Sequence, residues 1–151
     1  LYELVLEAQY HAIDEARPGR PFTAMHDAAV RTLTRGLIKL GLLEGSLEVN
    51  LKSGAYKRFY MHKTGHWLGL DVHDVGDYRV DDEPRVLEPG MVVTVEPGLY
   101  IAPDETGIDG KWKGIGIRIE DDVVIAATGP EVLSDGVPKE PDAIETIMAN
   151  R

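Results

Sequence analysis

Over the first forty residues apolar side chains recur every three or four positions, whereas beyond residue 60 they fall into short β-branched and alternating runs. The first pattern is that of amphipathic helices and the second that of strands. Leu1, Leu4, Val5, Ala8, Ala12 and Ile13 form one helical stripe. It should run to about residue 17, where "RPGRP" stops it, because proline cannot continue the hydrogen-bond ladder and glycine tolerates the reversing turn. No Ser, Thr, Asp or Asn stands ahead of this stripe as a cap, so the chain is expected to open inside a helix and to be a piece of a longer protein. Met25, Ala28, Ala29, Leu33, Leu37 and Leu40 form a second stripe, with Thr23 as its expected cap and Gly41 as its end. Two antiparallel helices are the expected result. Residues 46–60 predict a short helix and an irregular approach to Met61. The runs "LGLDV", "MVVTVEPGLY", "GIGIRIE" and "DVVIAA", bounded by Gly, Pro or acidic residues, predict an antiparallel sheet. "PDAIETIMAN" predicts a last short helix, opened by Pro141 and Asp142.

The 151 residues are the length of one ordinary domain. No apolar run approaches the roughly twenty residues of a bilayer span, so no membrane contact is expected. A net charge of −10 repels phosphate backbones and no Lys/Arg stripe interrupts it, which makes nucleic acid an unexpected partner. Cysteine is absent; any metal must be held by His, Asp or Glu, and a cytoplasmic location is the expectation.

Residues 61–76, "MHKTGHWLGLDVHDVG", hold three of the five histidines. His62 and His66 are four apart, but Gly65 and Gly69 oppose a helix; on an extended segment the two would still share a face. His73, seven beyond His66, would face the other way unless the chain bends. Spacing alone leaves a ligand set and a hydrogen-bonded turn both open. His11 and His26, on the helical stripes or their flanks, are expected to be structural or solvated. Glu96 ends an apolar run just before Pro97 and Gly98, and in "GIGIRIEDD" the alternation sets Ile115, Ile117 and Ile119 on one face and Gly116, Arg118 and Glu120 on the other. A solvent-facing Arg118–Glu120 pair would explain one such strand. Two carboxylates plus a histidine cluster instead make a set of oxygen and nitrogen donors suited to Mn, Co or Zn. Gly114 and Gly116 leave room for close approach to the backbone, and a glutamate in an apolar strand is costly without a partner.

"HKTGHWLGLDVHDVG", "LEPGMVVTVEPGLYI" and "GIGIRIEDDVVI", in this order, resemble the three signature segments in the second half of the aminopeptidase P catalytic domain, within the prolidase and methionine aminopeptidase superfamily. Trp67 after the histidine is more similar to aminopeptidase P than to prolidase. The resemblance implies the α+β pita-bread fold, a curved antiparallel sheet with covering helices built from two similar halves. Residues 1–151 would be the C-terminal portion of the catalytic domain, its first half and an N-terminal domain lying outside them. It also implies two divalent metal ions, Mn(II) with Co or Zn as alternatives, with His66 and Glu96 as ligands of one metal and Glu120 bridging both. His62 and His73 would contact substrate and support the transition state, while Arg118 and Tyr100 order the site and Tyr100 also meets substrate. Glu96 or Glu120 would relay a proton.

The implied reaction is hydrolysis of the bond between an N-terminal residue and a proline in second position. A prolidase-type dipeptidase and a non-catalytic pita-bread binding module are the alternatives; the joint presence of His66, Glu96 and Glu120 weighs against the module. The family's two aspartate ligands, eleven apart, and a further histidine would precede the first helix. Asp71 and Asp82 have that separation but follow the histidines, and their spacing is read as chance. Residues 1–151 alone are therefore expected to be inactive, to bind metal weakly, and to leave an apolar sheet face for a homo-oligomer partner or the rest of the chain.

Overall fold

A computed structural model describes residues 1–150. Helix α1 (Tyr2–Glu15) and helix α2 (Thr23–Lys39) run antiparallel, with Leu4 packed on Gly36 and His11 Nδ1 2.9 Å from Thr32 Oγ1. A Cβ at Gly36 would overlap the Leu4 side chain, so glycine here sets how closely the helices approach. Val5, Ala8 and Ala12 from one stripe and Met25, Ala29, Leu33 and Leu37 from the other are buried. Thr23 is not the cap: Phe22 holds that position without a side-chain bond. Backbone bonds from Phe22 N to Arg85 O and from Ala24 N to Pro21 O, 2.8 and 2.9 Å, fix the helix entry instead. Gly41, at φ 72°, follows the end of α2 in the left-handed conformation that favours glycine. Helix α3 (Leu47–Ser53) is capped by Ser46, whose Oγ accepts from Val49 N, and a single 3-10 turn, Ala55–Arg58, follows.

Strands β1 (Arg79–Val80) and β2 (Glu83–Pro84) form a small hairpin turned by Asp81 and Asp82, both at positive φ. Strand β3 (Val92–Val95) is followed by β4 (Gly98–Tyr100), β5 (Gly116–Arg118), β6 (Asp121–Ala126) and β7 (Gly129–Val132). They make a three-stranded sheet in the order β3-β6-β7 and a two-stranded pair, β4-β5. The two ladders share one register: Val95 pairs with Asp121 and Gly98 with Arg118. Carried across the gap, that register sets Glu96 opposite Glu120 and Pro97 opposite Ile119. Proline has no N–H to donate, so the ladder breaks where the carboxylates sit.

Val93, Val95, Val123 and Ile125 are fully buried in one core with the stripes of α1 and α2, each worth about 1.5–3 kcal/mol of apolar burial. Helix α4 (Pro141–Ala149) buries no residue and is tethered at its start, where Tyr10 Oη donates to Glu140 Oε1 at 2.6 Å and Tyr2 Oη to Lys139 O at 2.7 Å.

Two expectations are corrected. "LGLDV" is not a strand: residues 69–72 form bends, because the segment bonds to itself, Gly69 N to Asp71 O and Asp74 N to Trp67 O. Its one tie to the sheet is at its start, where Trp67 bridges to Val93 and Leu68 N bonds to Val92 O. An uncovered apolar sheet face is not found on the three-stranded sheet, whose apolar side chains are buried or half-buried. Of the exposed large apolar residues, Leu70, Val72, Val75, Tyr78, Val80 and Val86 fall within 70–86, and Leu133, Val137, Ile147 and Met148 lie towards the C-terminal end. Among the described residues no helix is long and apolar enough to cross a membrane.

Candidate metal centre

Residues 64–68 lie against the free edge of β3, through Glu96 N to Thr64 O at 2.7 Å, Thr94 N to His66 O at 3.0 Å and Leu68 N to Val92 O at 3.1 Å. A Cβ at Gly65 would collide with the Thr94 carbonyl, so this close approach requires glycine. The histidine-bearing segment is thereby fixed on one side of β3 while the strand leading out of Glu120 is fixed on the other. His66, Glu96 and Glu120 each offer a ligand atom, and these atoms lie within 4.8 Å of one another. Among the described residues no other such group occurs, and Asp71 and Asp82 take no part in one.

The hydrogen bonds orient these donors. His66 Nδ1 is 2.9 Å from Trp67 O, and since a carbonyl only accepts, Nδ1 carries the proton. The Nε2 lone pair is left to face Glu96 Oε1 at 3.4 Å. A backbone partner on one ring nitrogen is the usual way a metal-binding imidazole is held. Glu96 is nearly buried, at 9 % exposure; Thr94 Oγ1 donates to its Oε1 at 3.2 Å and Arg118 Nη1 lies 3.3 Å from its Oε2. Glu120 is the exposed member of the three. Burial of its carboxyl and then the Glu96 charge push its pKa up, and Arg118 partly offsets them. Two carboxylates facing each other across a ladder repel, and a cation between them removes that cost.

Beside the carboxylates stands a second bonded set. His62 Nδ1 is 2.7 Å from Lys63 O, so it donates there and Nε2 must accept, from Tyr100 Oη at 2.9 Å. Tyr100 Oη in turn accepts from Arg118 Nε at 2.7 Å. The tyrosine ring lies back over Gly98, where a Cβ would sit 2.6 Å from the hydroxyl. His73 belongs to the exposed 70–86 segment, yet its ring meets that of His66 edge-on, with centroids 4.4 Å apart.

A cleft of about 730 Å³ opens over the site, lined by His62, His66, Glu96 and Arg118 and by Met25 and His26 of α2. His26, expected to be structural or solvated, is half-buried on the cleft wall. Its Nδ1 lies 2.9 Å from Thr64 Oγ1, which is 2.5 Å from Tyr60 Oη. Burial first, then nearby Lys63, His62 and Lys57, push the His26 pKa down to about 4, so the ring is neutral. Nothing in the helical period marks this position, because the cleft is made by tertiary packing.

The model of metallopeptidase family M24 matches residues 1–127. The chain is 48% identical over 148 residues to the Xaa-Pro aminopeptidase of Haemophilus influenzae, covering 98% of this chain and 34% of that one. To the Xaa-Pro aminopeptidase of Escherichia coli it is 49% identical, covering 98% and 33%. Among solved structures, aminopeptidase PepP of Pseudomonas aeruginosa superposes with a TM-score of 0.97 at 60% identity, over 99% of this chain and 34% of that one. Aminopeptidase P from E. coli with the inhibitor Pro-Leu superposes with a TM-score of 0.93 at 48% identity, over 99% and 34%. The chain spans about a third of the length of these relatives, and it has the α+β pita-bread fold over the part it shares with them.

Proposed function

The chain belongs to metallopeptidase family M24, and from that premise we propose that the full-length protein is a binuclear metal-dependent aminopeptidase. It would release the N-terminal residue from peptides with proline in second position. The observation that carries this reading is the convergence of His66 Nε2 with the Glu96 and Glu120 carboxylates beside a cleft of about 730 Å³ that His66 and Glu96 line. The names of the relatives, Xaa-Pro aminopeptidases, support the substrate class.

The donor set fits divalent metals. His66 and Glu96 would hold one ion and Glu120 would bridge to a second. Two oxygen donors to one nitrogen favour Mn(II), with Zn or Co as alternatives; an E. coli aminopeptidase P has been obtained Zn-substituted. When bound, such a pair lowers the pKa of a shared water and polarises the scissile carbonyl. The residues of the chain do the rest. A carboxylate, Glu96 or Glu120, takes the water's proton and passes it to the leaving proline nitrogen. Arg118 holds Glu96 on one side and Tyr100 on the other. His62, with both nitrogens engaged, keeps Tyr100 in place. His73, edge-on to His66 and otherwise exposed, is the histidine free to stabilise charge developing on the substrate. His26, on the cleft wall, would bound the substrate.

Hydrolysis of peptides by the purified full-length protein, with metal analysis, tests this. The reading predicts about two ions per chain, the stoichiometry of a two-metal site, and release of the first residue from a tripeptide with proline second. Cleavage of the dipeptide alone would make it a prolidase-type dipeptidase, and a protein without metal or hydrolysis would make it a binding module.

A further inference from the structure

We propose that Gln9 is a positioning residue for the metal centre, its amide fixing the separation of two strands at the point where Glu96 and Glu120 leave them. The inference rests on the metal reading above. Gln9 lies on α1, fully buried among apolar neighbours of the core. Its Nε2 is 2.9 Å from Val95 O and 2.8 Å from Asp121 Oδ2. Val95 and Asp121 are paired residues and form the last rung of the β3-β6 ladder. Each is the chain neighbour of a ligand carboxylate.

Both contacts are acceptors, one on each strand, so only a group with two hydrogens to donate can serve them together. Gln9 Oε1, by contrast, is buried with no partner. A core chosen for stability alone would avoid that orphan. Asp121, itself 1 % exposed, is anchored from the far side by Ser134 Oγ and by Lys139 Nζ at 3.0 Å. The start of β6 is thus gripped from α1 and from the segment leading into α4. A side chain that cross-links the strands one residue short of the carboxylates holds them at a spacing that their mutual repulsion would otherwise widen.

The test substitutes Gln9→Met, apolar and of similar volume, in the full-length protein. The control is Val5→Ala, a buried position on the same helix whose side chain makes no hydrogen bond to either strand. Mn(II) affinity is measured by calorimetric titration of the metal-free protein, and the geometry of the pair by electron paramagnetic resonance of the Mn(II)-loaded form. Gln9→Met is expected to lower Mn(II) affinity about 10- to 100-fold, as loss of an outer partner of a metal site does, and to alter the spin-coupled signal. Val5→Ala should lower the melting temperature while leaving both unchanged. If Gln9→Met does not accumulate folded, Gln9→Asn, whose amide falls one carbon short of the acceptors, carries the same expectation. Wild-type affinity and spectrum in the Gln9 variant, or an equal change in Val5→Ala, would overturn this inference alone; a wild-type protein that binds no metal would overturn the metal reading with it.

Discussion

His66 and His73 touch ring to ring, yet they belong to regions built in opposite ways. His66 sits on a segment bonded along the edge of β3, with its imidazole fixed by Trp67 O and its backbone N–H by Thr94 Oγ1. His73 rides on a stretch that turns on itself and exposes Leu70, Val72 and Val75 to solvent. On the proposed function, the chain places its metal donors on scaffold and the histidine proposed to meet substrate on a loop. Donors must converge before a metal arrives, which takes a rigid support, whereas a group that meets substrate can be carried by a segment free to adjust.

The largest break in this contrast comes from the scaffold side. Glu96→Gln should lower metal affinity by more than about 100-fold, beyond what loss of an outer partner costs, and take activity with it; elemental analysis after dialysis reads this. Packing should separate the regions next. Leu33→Ala, at a fully buried position, is expected to cost about 2–5 kcal/mol, whereas Leu70→Ala, at a fully exposed one, should stay within about 0.5 kcal/mol; urea unfolding of both variants checks the difference. His73→Ala should leave metal content at the wild-type level and lower kcat by about 100-fold, while His66→Ala loses metal; equal metal loss in both would erase the distinction.

The smallest effect is on pH dependence. His26 has its pKa held down to about 4 from 6.5, so below 6.5 the unfolded chain binds a proton that the folded one refuses. Stability contributed by the neutral ring is present above pH 6.5 and lost as pH falls toward 4. Unfolding midpoints measured between those limits should drop, and His26→Gln should flatten the slope.

Much of this arrangement was legible in the sequence. The helical stripes of α1 and α2 are visible because a 3.6-residue period repeats over several turns, and the strand runs of β3 to β6 because their β-branched residues are bounded by Gly, Pro or acidic residues. Alternation also placed Arg118 and Glu120 on one face, and the exposure pattern of β5 agrees. Other features depend on partners far along the chain. Glu96 faces Glu120 only through the shared ladder register, and Thr64 meets Glu96 only because the histidine segment docks on β3. Gln9 interrupts the apolar stripe of α1 and His26 flanks that of α2, and what each polar side chain bonds is not visible until the elements packed on them are known. "LGLDV" misled for the converse reason: Leu70 and Val72 are exposed, so their pattern reported no buried face.

The central claim is that His66, Glu96 and Glu120 hold divalent metal. Anomalous diffraction from crystals of the full-length protein loaded with Mn(II) tests it directly. The account predicts one peak bonded to His66 Nε2 and Glu96, and a second joined to it through Glu120. Peaks with none of the three residues as ligands, or no bound metal in a protein that still cleaves the peptide, would contradict it.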